Sequence, residues 1–135
     1  MLGEQLGDDR GQVISTRVLP SEPGQGPRVE VTFETHGTIL GIPTKEMGTY
    51  WAVVRPNGTL FGEGQGILTS PQGDMASWRG QGVGLLTESG GTQFRGAIYV
   101  ETASPNWTRL NAVACVYEFS VDDSGKTESK LWEWK

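Results

Sequence analysis

The sequence predicts an all-β protein, a single antiparallel barrel of eight strands in up-and-down order. Turn-forming clusters recur about every sixteen residues, and the segments between them alternate apolar and polar residues, a pattern typical of strands with one buried face. A sheet of long strands joined by short turns hides its edges most simply by closing into a barrel. The clusters are Pro56-Asn57-Gly58, Pro71-Gln72-Gly73, Ser89-Gly90-Gly91, Ala103-Ser104-Pro105-Asn106 and Asp122-Asp123-Ser124-Gly125.

Taken in order, the elements form one domain of residues 12–135, preceded by a flexible N-terminal arm of residues 1–11. The segment 21–27, rich in proline and glycine, is expected to be a loop, and residues 41–46 leave room for one helical turn. The predicted strands cover residues 12–19, 28–40, 47–55, 59–69, 74–86, 92–102, 107–121 and 127–134.

Composition limits the partners that this chain of 135 residues is expected to have. Its net charge of −5 argues against a nucleic-acid or anionic-membrane partner, since both attract cationic surfaces. A single cysteine, Cys115, allows no intramolecular disulfide and favours a reducing compartment. The first residues lack the apolar core of a signal peptide, so a cytoplasmic location is predicted.

Glycines alternate along three consecutive predicted strands, and this pattern predicts which strand face points inward. In the strand 59–69, every second residue from Gly62 to Gly66 is glycine, and the opposite face carries Glu63. Charged side chains are costly to bury, so Glu63, Arg79, Arg95 and Glu101 should face solvent and the glycines should face the interior. The inward set predicted in this way includes Gly62, Gly64, Gly66, Trp78, Gly80, Gly82, Gly84, Phe94 and Gly96.

Two explanations for these glycines remain open at the level of the sequence. They allow a small barrel to curve sharply and make room for large side chains, namely Phe33, Trp51, Tyr117 and one of Trp132 or Trp134, which would leave a solid core. Alternatively, they leave an aromatic-lined cavity for a small apolar molecule. Eight strands give a barrel that is just wide enough for either arrangement.

The candidate ligand-binding residues are the aromatic and polar side chains expected to line such a cavity. Asn111, Cys115 and Tyr117 share one strand face and would orient a ligand carbonyl or hydroxyl group. Cys115 is expected to be an inert buried thiol, because the single histidine, His36, should face outward and cannot activate it. No catalytic residue, metal site or cofactor is predicted. The full set is Phe33, Trp51, Trp78, Phe94, Asn111, Cys115 and Tyr117.

One part of the chain resembles a known group of barrels. The segment Ser89-Gly90-Gly91-Thr92-Gln93-Phe94-Arg95-Gly96, which follows the glycine-alternating strand from Trp78 to Gly84, is similar to the Gly-Gly-x-x-x-Phe-x-Gly strand entry of the allene oxide cyclase and dirigent families. The resemblance covers residues 50–101. It implies a calycin-like eight-stranded barrel, often trimeric, that steers a reactive hydrophobic intermediate by shape.

The expected function is therefore binding of a small hydrophobic ligand inside the barrel, with cyclase- or isomerase-like activity by shape control as its extension. The alternative is a non-catalytic dimeric or trimeric structural or interaction protein with a filled core, which associates through Phe61, Ile67, Tyr99 and Trp107. A third hypothesis is an enzyme that draws an acid or base from Glu101, Glu118 or Glu133. The sequence leaves open whether any reaction is catalysed.

Overall fold

The computed structural model describes all 135 residues and forms one closed barrel of eight antiparallel strands in chain order, so the predicted fold class is confirmed. The last strand pairs with both its predecessor and the first strand, which closes the sheet. The strands are β1 (Leu2–Leu19), β2 (Arg28–Ile39), β3 (Ile42–Val54), β4 (Leu60–Thr69), β5 (Met75–Leu86), β6 (Thr92–Thr102), β7 (Cys115–Val121) and β8 (Lys126–Trp134).

The expected N-terminal arm is in fact the first half of β1. Residues from Leu2 to Gln12 pair with β8, and a bulge between Val13 and Ser15 separates them from the half that pairs only with β2. The inward positions here are Leu6, Gly7, Asp9 and Gly11, of which only Leu6 has a large apolar side chain, so no apolar alternation marks this segment as a strand. Pairing with β8 supplies the stability that the local sequence does not.

The predicted strand 107–121 was wrong in its first half. Pro105–Ala112 is a 3₁₀ helix, here called the capping helix, with proline in its first turn. The helix buries Trp107 and Leu110 completely over one end of the barrel. The Trp107 indole N–H donates to the Ile39 carbonyl at 3.4 Å, which fixes the helix above the β2–β3 turn.

The β2–β3 turn also differs from expectation. Ile39 pairs with Ile42, so only Leu40 and Gly41 form the turn, both with positive φ (51° and 78°). A two-residue turn of this kind fits the right-handed twist of the strands, whereas a helical turn at residues 41–46 would have broken their pairing.

The connections define two different ends of the barrel. The capping helix, the β2–β3 turn and the β4–β5 loop form the closed end, where Asn106 donates to the Asp74 carboxylate at 3.2 Å. The loops at residues 20–27, 55–59, 87–91 and 122–125 surround the open end. Arg109 joins Glu4 and Glu133 across the chain termini at the closed end.

Several of the interior glycines provide space for aromatic rings, as the first explanation predicts. A Cβ at Gly66 would lie 2.4 Å from the Trp78 ring, and one at Gly48 would lie 2.6 Å from Phe33 and 2.9 Å from Trp78. No real Cβ makes contacts this short, so these rings can pack only against glycine. The charged residues Glu63, Arg79, Arg95 and Glu101 are exposed on the outer face, as predicted.

Candidate functional site

A layer of four aromatic rings crosses the middle of the barrel. Phe33 packs against Phe119 with ring centroids 5.1 Å apart, and Tyr50 contacts Phe94 at 5.9 Å and Phe119 at 5.8 Å. These four residues, from β2, β3, β6 and β7, are here called the aromatic layer. Tyr50 and Phe94 border cavities on both sides of it, so the layer divides the interior into an outer cup and an inner chamber.

The outer cup lies at the open end and has a volume of about 410 Å³. Its wall comes from inward positions of several strands, and Tyr50 and Phe94 form its floor. The β1–β2, β5–β6 and β7–β8 loops border its opening. The apolar residues of the wall include Val13, Val29, Val31, Ala52, Val54, Leu60, Leu86 and Val121.

The inner chamber lies between the aromatic layer and the closed end and has a volume of about 90 Å³. The glycine-rich parts of β4 and β5, including Gly62, Gly64 and Gly80, border one side. Trp78, Tyr117 and aliphatic side chains complete most of the wall. The second explanation for the glycines, a cavity, is therefore also realised, but only in this small volume.

Two carboxyl groups, those of Asp9 and Glu46, face the inner chamber, whereas Asp8 and Glu63 also border it but are exposed. The β2–β3 register places Glu46 beside Thr35, whose hydroxyl donates to the Glu46 carboxylate at 3.1 Å. On the next strand, Asp9 pairs with Ser129 of β8 and lies on the same inward face. Three adjacent strands thus bring two acids together inside the barrel.

Burial and mutual proximity shift both acids toward their protonated forms. Desolvation raises the pKa of Glu46 well above its usual range, and the neighbouring charge and hydrogen bond of Asp9 raise it further. Desolvation also raises the pKa of Asp9, while hydrogen bonds from Ser129 and Glu46 oppose that rise. The pair is therefore best described as sharing a proton through a mutual hydrogen bond.

No basic side chain neutralises this pair. Lys130 borders the chamber but is exposed on the outer face of β8. The ion pairs of the structure, such as Lys45 with Glu34 and Arg95 with Glu118, involve neither acid. Tyr50 and Tyr117 also face the chamber, and burial raises the pKa of both phenols, that of Tyr117 to about 12. The proton shared by Asp9 and Glu46 therefore limits the negative charge inside the chamber.

Four of the seven sequence-predicted site residues, Phe33, Trp78, Phe94 and Tyr117, line the inner chamber. Cys115 is completely buried but borders neither cavity. Burial raises the pKa of its thiol to about 11, consistent with the expected inert thiol.

Trp51 and Asn111 lie outside the barrel interior. Trp51 is on the outer face, with the Arg28 guanidinium 4.5 Å from its ring and Phe61 at 5.7 Å between centroids. Asn111 belongs to the capping helix, where its side chain accepts from the Thr102 N–H at 2.8 Å and donates to the Thr102 carbonyl at 2.9 Å. Asn111 therefore ties the helix to β6 instead of orienting a ligand.

The inward aromatic residue of β3 is Tyr50, the neighbour of Trp51. Side chains alternate along a strand, so an error of one position reverses every face. Glu46 and Tyr50 share the inward face of β3, so Trp51 points outward, and the rule that charged residues face outward does not hold at Glu46. A two-residue turn at Leu40 and Gly41 was the signal that could have revealed the inward face of β3, because pairing Ile39 with Ile42 places Glu46 opposite the inward Thr35.

Other candidates also take different positions from those expected. Trp107 belongs to the capping helix, where its side chain is completely buried, and it is unavailable as an outer contact. Glu118 and Glu133 form ion pairs with Arg95 and Arg109, and Glu101 is exposed, so none of these acids lines a cavity. The tryptophans of β8, Trp132 and Trp134, do not line the interior cavities either.

No group of three or more His, Cys, Asp or Glu side chains lies close enough together to hold a metal ion. The structure also contains no helix that is long and apolar enough to cross a membrane.

Comparison with known proteins identifies the fold. No protein-family model matches the sequence, and no curated protein is significantly similar to it. A protein of unknown function from Clostridium acetobutylicum superposes with a TM-score of 0.83 at 15% identity, covering 98% of each chain. A conserved protein of unknown function from Rhodopseudomonas palustris gives 0.79 at 15% identity and 99% coverage of each chain.

A beta-barrel-like protein from Acinetobacter baumannii superposes with a TM-score of 0.83 at 14% identity, covering 100% of this chain and 96% of the other. At these identities the similarity concerns the fold alone. None of the three is described as an allene oxide cyclase or a dirigent protein, so membership of those families stays a prediction. What the comparisons support is the barrel fold alone, since two of these structures are described as proteins of unknown function and the third as beta-barrel-like.

Proposed function

We propose that this protein binds a small, predominantly apolar organic molecule inside the barrel, with the apolar body of the ligand in the outer cup. The observation that carries the proposal is the cup itself. Its volume of about 410 Å³ falls within the range of about 300–1,000 Å³ typical of small-molecule sites. Its wall is mostly aliphatic, and the rings of Tyr50 and Phe94 form a floor that can pack against a ligand.

The rim of the open end supports the same proposal. Apolar side chains are unusually exposed there, at between 51% and 81% of their surface. Exposed apolar groups beside a cavity mouth commonly mark a ligand entry or contact site, because covering them releases hydration water. These residues are Ile14 and Val18 on β1 and Leu85 and Leu86 at the end of β5.

Shape control of a bound reactant, the cyclase- or isomerase-like extension, is part of this proposal. Most of the wall consists of strands that are hydrogen-bonded on both sides, so it resists deformation; the exception is the second half of β1, which pairs only with β2. A rigid apolar wall can hold a flexible molecule in one folded conformation and thereby lower the entropic barrier to ring closure. A cytoplasmic location also stays a prediction.

Titration with N-phenyl-1-naphthylamine, a neutral apolar dye that fluoresces in dry sites, tests the proposal. We expect saturable binding of one dye per chain. Thr92 lies at the cup wall, so Thr92→Phe should fill part of the cup and weaken binding at least tenfold. The matched control is Thr38→Phe, because Thr38 is exposed on β2 and lines neither cavity.

Val121→Phe provides a second cup-filling variant if Thr92→Phe does not fold, since Val121 borders the same space from β7. Absence of saturable dye binding, or equal weakening by the control, would contradict the proposal. Native mass spectrometry of freshly purified protein would report in one spectrum the subunit number and any small molecule retained from the cell.

Association through the outer face, the alternative function, has weaker support. Of its four expected contact residues, Trp107 is buried and Phe61 is partly covered by Trp51 and Arg55. Ile67 and Tyr99 remain exposed. The same native mass spectrum tests for the dimer or trimer that this alternative requires.

A further inference from the structure

The outer cup combines an apolar wall with an acidic mouth. Asp122 and Asp123 of the β7–β8 loop are the only residues bordering the cup that carry a charge, and both are exposed. Neither carboxylate takes part in an ion pair. The cup therefore presents two uncompensated negative charges to any molecule that enters it.

The loops around the open end extend this negative charge. Together they contain one basic residue, Arg55, and its guanidinium lies 5.9 Å from the Phe61 ring on the outside of the barrel. Among the acids of these loops, Glu22 pairs with Arg28, and the other three are in no ion pair. Charges of one sign around a cavity with apolar walls concentrate ligands of the opposite sign. The four acids are Glu22, Glu88, Asp122 and Asp123.

Asp122 is held in its ionised form by the turn that it begins. Its Oδ1 atom accepts hydrogen bonds from the backbone N–H groups of Lys126 and Ser124, both at 2.9 Å, and from the Ser124 hydroxyl at 2.8 Å. These bonds hold the pKa of the carboxyl below its usual value. All three use Oδ1, so Oδ2 stays free to accept from a ligand. The Lys126 side chain is exposed and does not border the cup.

The barrel wall next to these acids is incomplete. The Val13 N–H donates to the Gly125 carbonyl at 2.8 Å, and beyond this bond the segment Ser15–Leu19 of β1 pairs only with β2. This segment, here called the free edge, presents unpaired backbone carbonyl groups beside the β7–β8 loop. An ammonium group has only donors, so carboxylate and carbonyl oxygens are the partners that it requires.

We infer that the ligand of the outer cup is an amphipathic cation, with its apolar body against the wall and a protonated amine at the mouth, between the Asp122 and Asp123 carboxylates and the free edge. The inference rests on the proposed function and deepens it by naming the class of ligand. The cavity is the site, and the acids select the charge of the molecule that occupies it.

The same arrangement disfavours anionic ligands such as fatty acids. A carboxylate at the mouth would meet two like charges, and no basic side chain borders the cup to offset them. A neutral hydroxyl group would be neither attracted nor repelled. Because the two acids are exposed, water and salt weaken their effect, so the selection amounts to a severalfold difference in affinity that decreases as ionic strength rises.

The test compares three probes that share a naphthalene body: 1-naphthylmethylammonium, 1-naphthalenemethanol and 1-naphthoate. Each is titrated at pH 7 and low ionic strength against N-phenyl-1-naphthylamine bound in the cup, and the loss of dye fluorescence reports its affinity. We expect the ammonium probe to bind about fivefold more tightly than the alcohol, and the alcohol about fivefold more tightly than the carboxylate. Addition of about 0.5 M sodium chloride should bring the three affinities together.

Variants assign the preference to the mouth. Asp122→Asn with Asp123→Asn removes both charges, while the asparagine oxygen can still accept the bonds that form the turn. The preference for ammonium over alcohol should fall below about twofold, with the affinity for the alcohol unchanged. The matched control, Glu101→Gln with Glu128→Gln, removes the same charge from exposed positions that border neither cavity and should keep the preference. If the double variant does not fold, Asp123→Asn alone carries the test.

Thr92→Phe then shows whether the ammonium probe occupies the cup, since filling the cup should weaken all three probes. Undiminished binding of the ammonium probe to this variant would overturn the inference, because the acids alone would then hold it. Equal affinities for ammonium and alcohol, tightest binding of the carboxylate, equal loss of preference in the control, or no displacement by any probe would also overturn it. The dye is neutral, so its own titration tests the proposed function separately.

Discussion

Proteins usually expose polar groups and bury apolar ones, but the two ends of this barrel show the opposite arrangement. At the closed end, Trp107 and Leu110 form an apolar plug, and behind it the acids Asp9 and Glu46 face a small chamber away from bulk water. At the open end, the apolar wall of the outer cup faces solvent together with an exposed aliphatic rim. The same eight strands supply both ends.

The difference shows what each end contributes. Ionised acids are costly to bury. The plug keeps Asp9 and Glu46 away from bulk water, and this environment favours a proton shared between them. Exposed apolar surface is also unfavourable, and it persists at the open end where no chain segment covers it. We therefore expect the closed end to dominate stability and the open end to dominate ligand access.

Removing the plug should have the largest effect. Trp107→Ala deletes a completely buried indole and its hydrogen bond to Ile39, so the free energy of unfolding should fall by about 3–5 kcal/mol. Urea denaturation measures this change. The control Trp134→Ala removes a tryptophan that is 57% exposed and should cost far less.

Cys115 gives this variant a second readout. Its thiol is completely buried at the closed end, and burial raises its pKa to about 11, so alkylation by iodoacetamide at pH 8 should be very slow in the wild type. Trp107→Ala should accelerate it. If both tryptophan variants lose equal stability and label at equal rates, the capping helix is not the plug described here.

Adding one methyl group beside Trp78 should have the next largest effect. Gly66→Ala places a Cβ 2.4 Å from the indole, which must move, so a loss of about 1–3 kcal/mol is expected. At Gly62 the nearest contacts are 3.2 Å from a backbone oxygen and 3.4 Å from Phe94, so Gly62→Ala should be milder. Thermal unfolding ranks the two variants, and the reverse order would contradict the packing of Trp78 over Gly66.

Glu46→Gln should change the pH dependence of stability. The folded-state pKa of Glu46 is raised above its ordinary value of 4.5, so between those values the native state binds more protons than the unfolded state. Stability of the wild type therefore falls as pH rises above about 4.5, by up to about 1.4 kcal/mol for each unit of pKa difference. Glutamine does not titrate. The free energy of unfolding of the variant should therefore rise relative to that of the wild type between pH 4 and pH 8.

Unfolding free energies at several pH values measure that gain. Asp9 still makes the stability of the variant depend on pH to some extent. Tyr50 and Tyr117 stay neutral, because burial raises their pKa values. The control Glu101→Gln changes an exposed acid of β6 that borders neither cavity, and it should not reproduce this gain. Parallel curves for Glu46→Gln and the wild type would contradict a buried, proton-sharing pair.

Much of the fold could be predicted because turns and alternation are local signals. The glycine face of β4 and β5 and the outward charges followed from short sequence patterns, and both were confirmed. The candidate site could not be predicted to the same extent, since its acids depend on non-local pairing. Asp9 faces inward only because β1 pairs with β8, and Glu46 only because the turn after Ile39 has two residues.

The variant with the smallest expected loss of stability tests most directly which face of β3 points into the barrel. Tyr50 and Trp51 are adjacent aromatic residues, but Tyr50 forms the floor of the cup and Trp51 packs outside against Arg28. Trp51→Phe should cost about 0.5–1 kcal/mol through a weaker cation–π contact and leave dye affinity unchanged. Tyr50→Leu should weaken dye binding severalfold, because it removes a ring from the floor. A loss of affinity in Trp51→Phe alone would place the other face of β3 inside the barrel, and both cavities would then have to be reassigned.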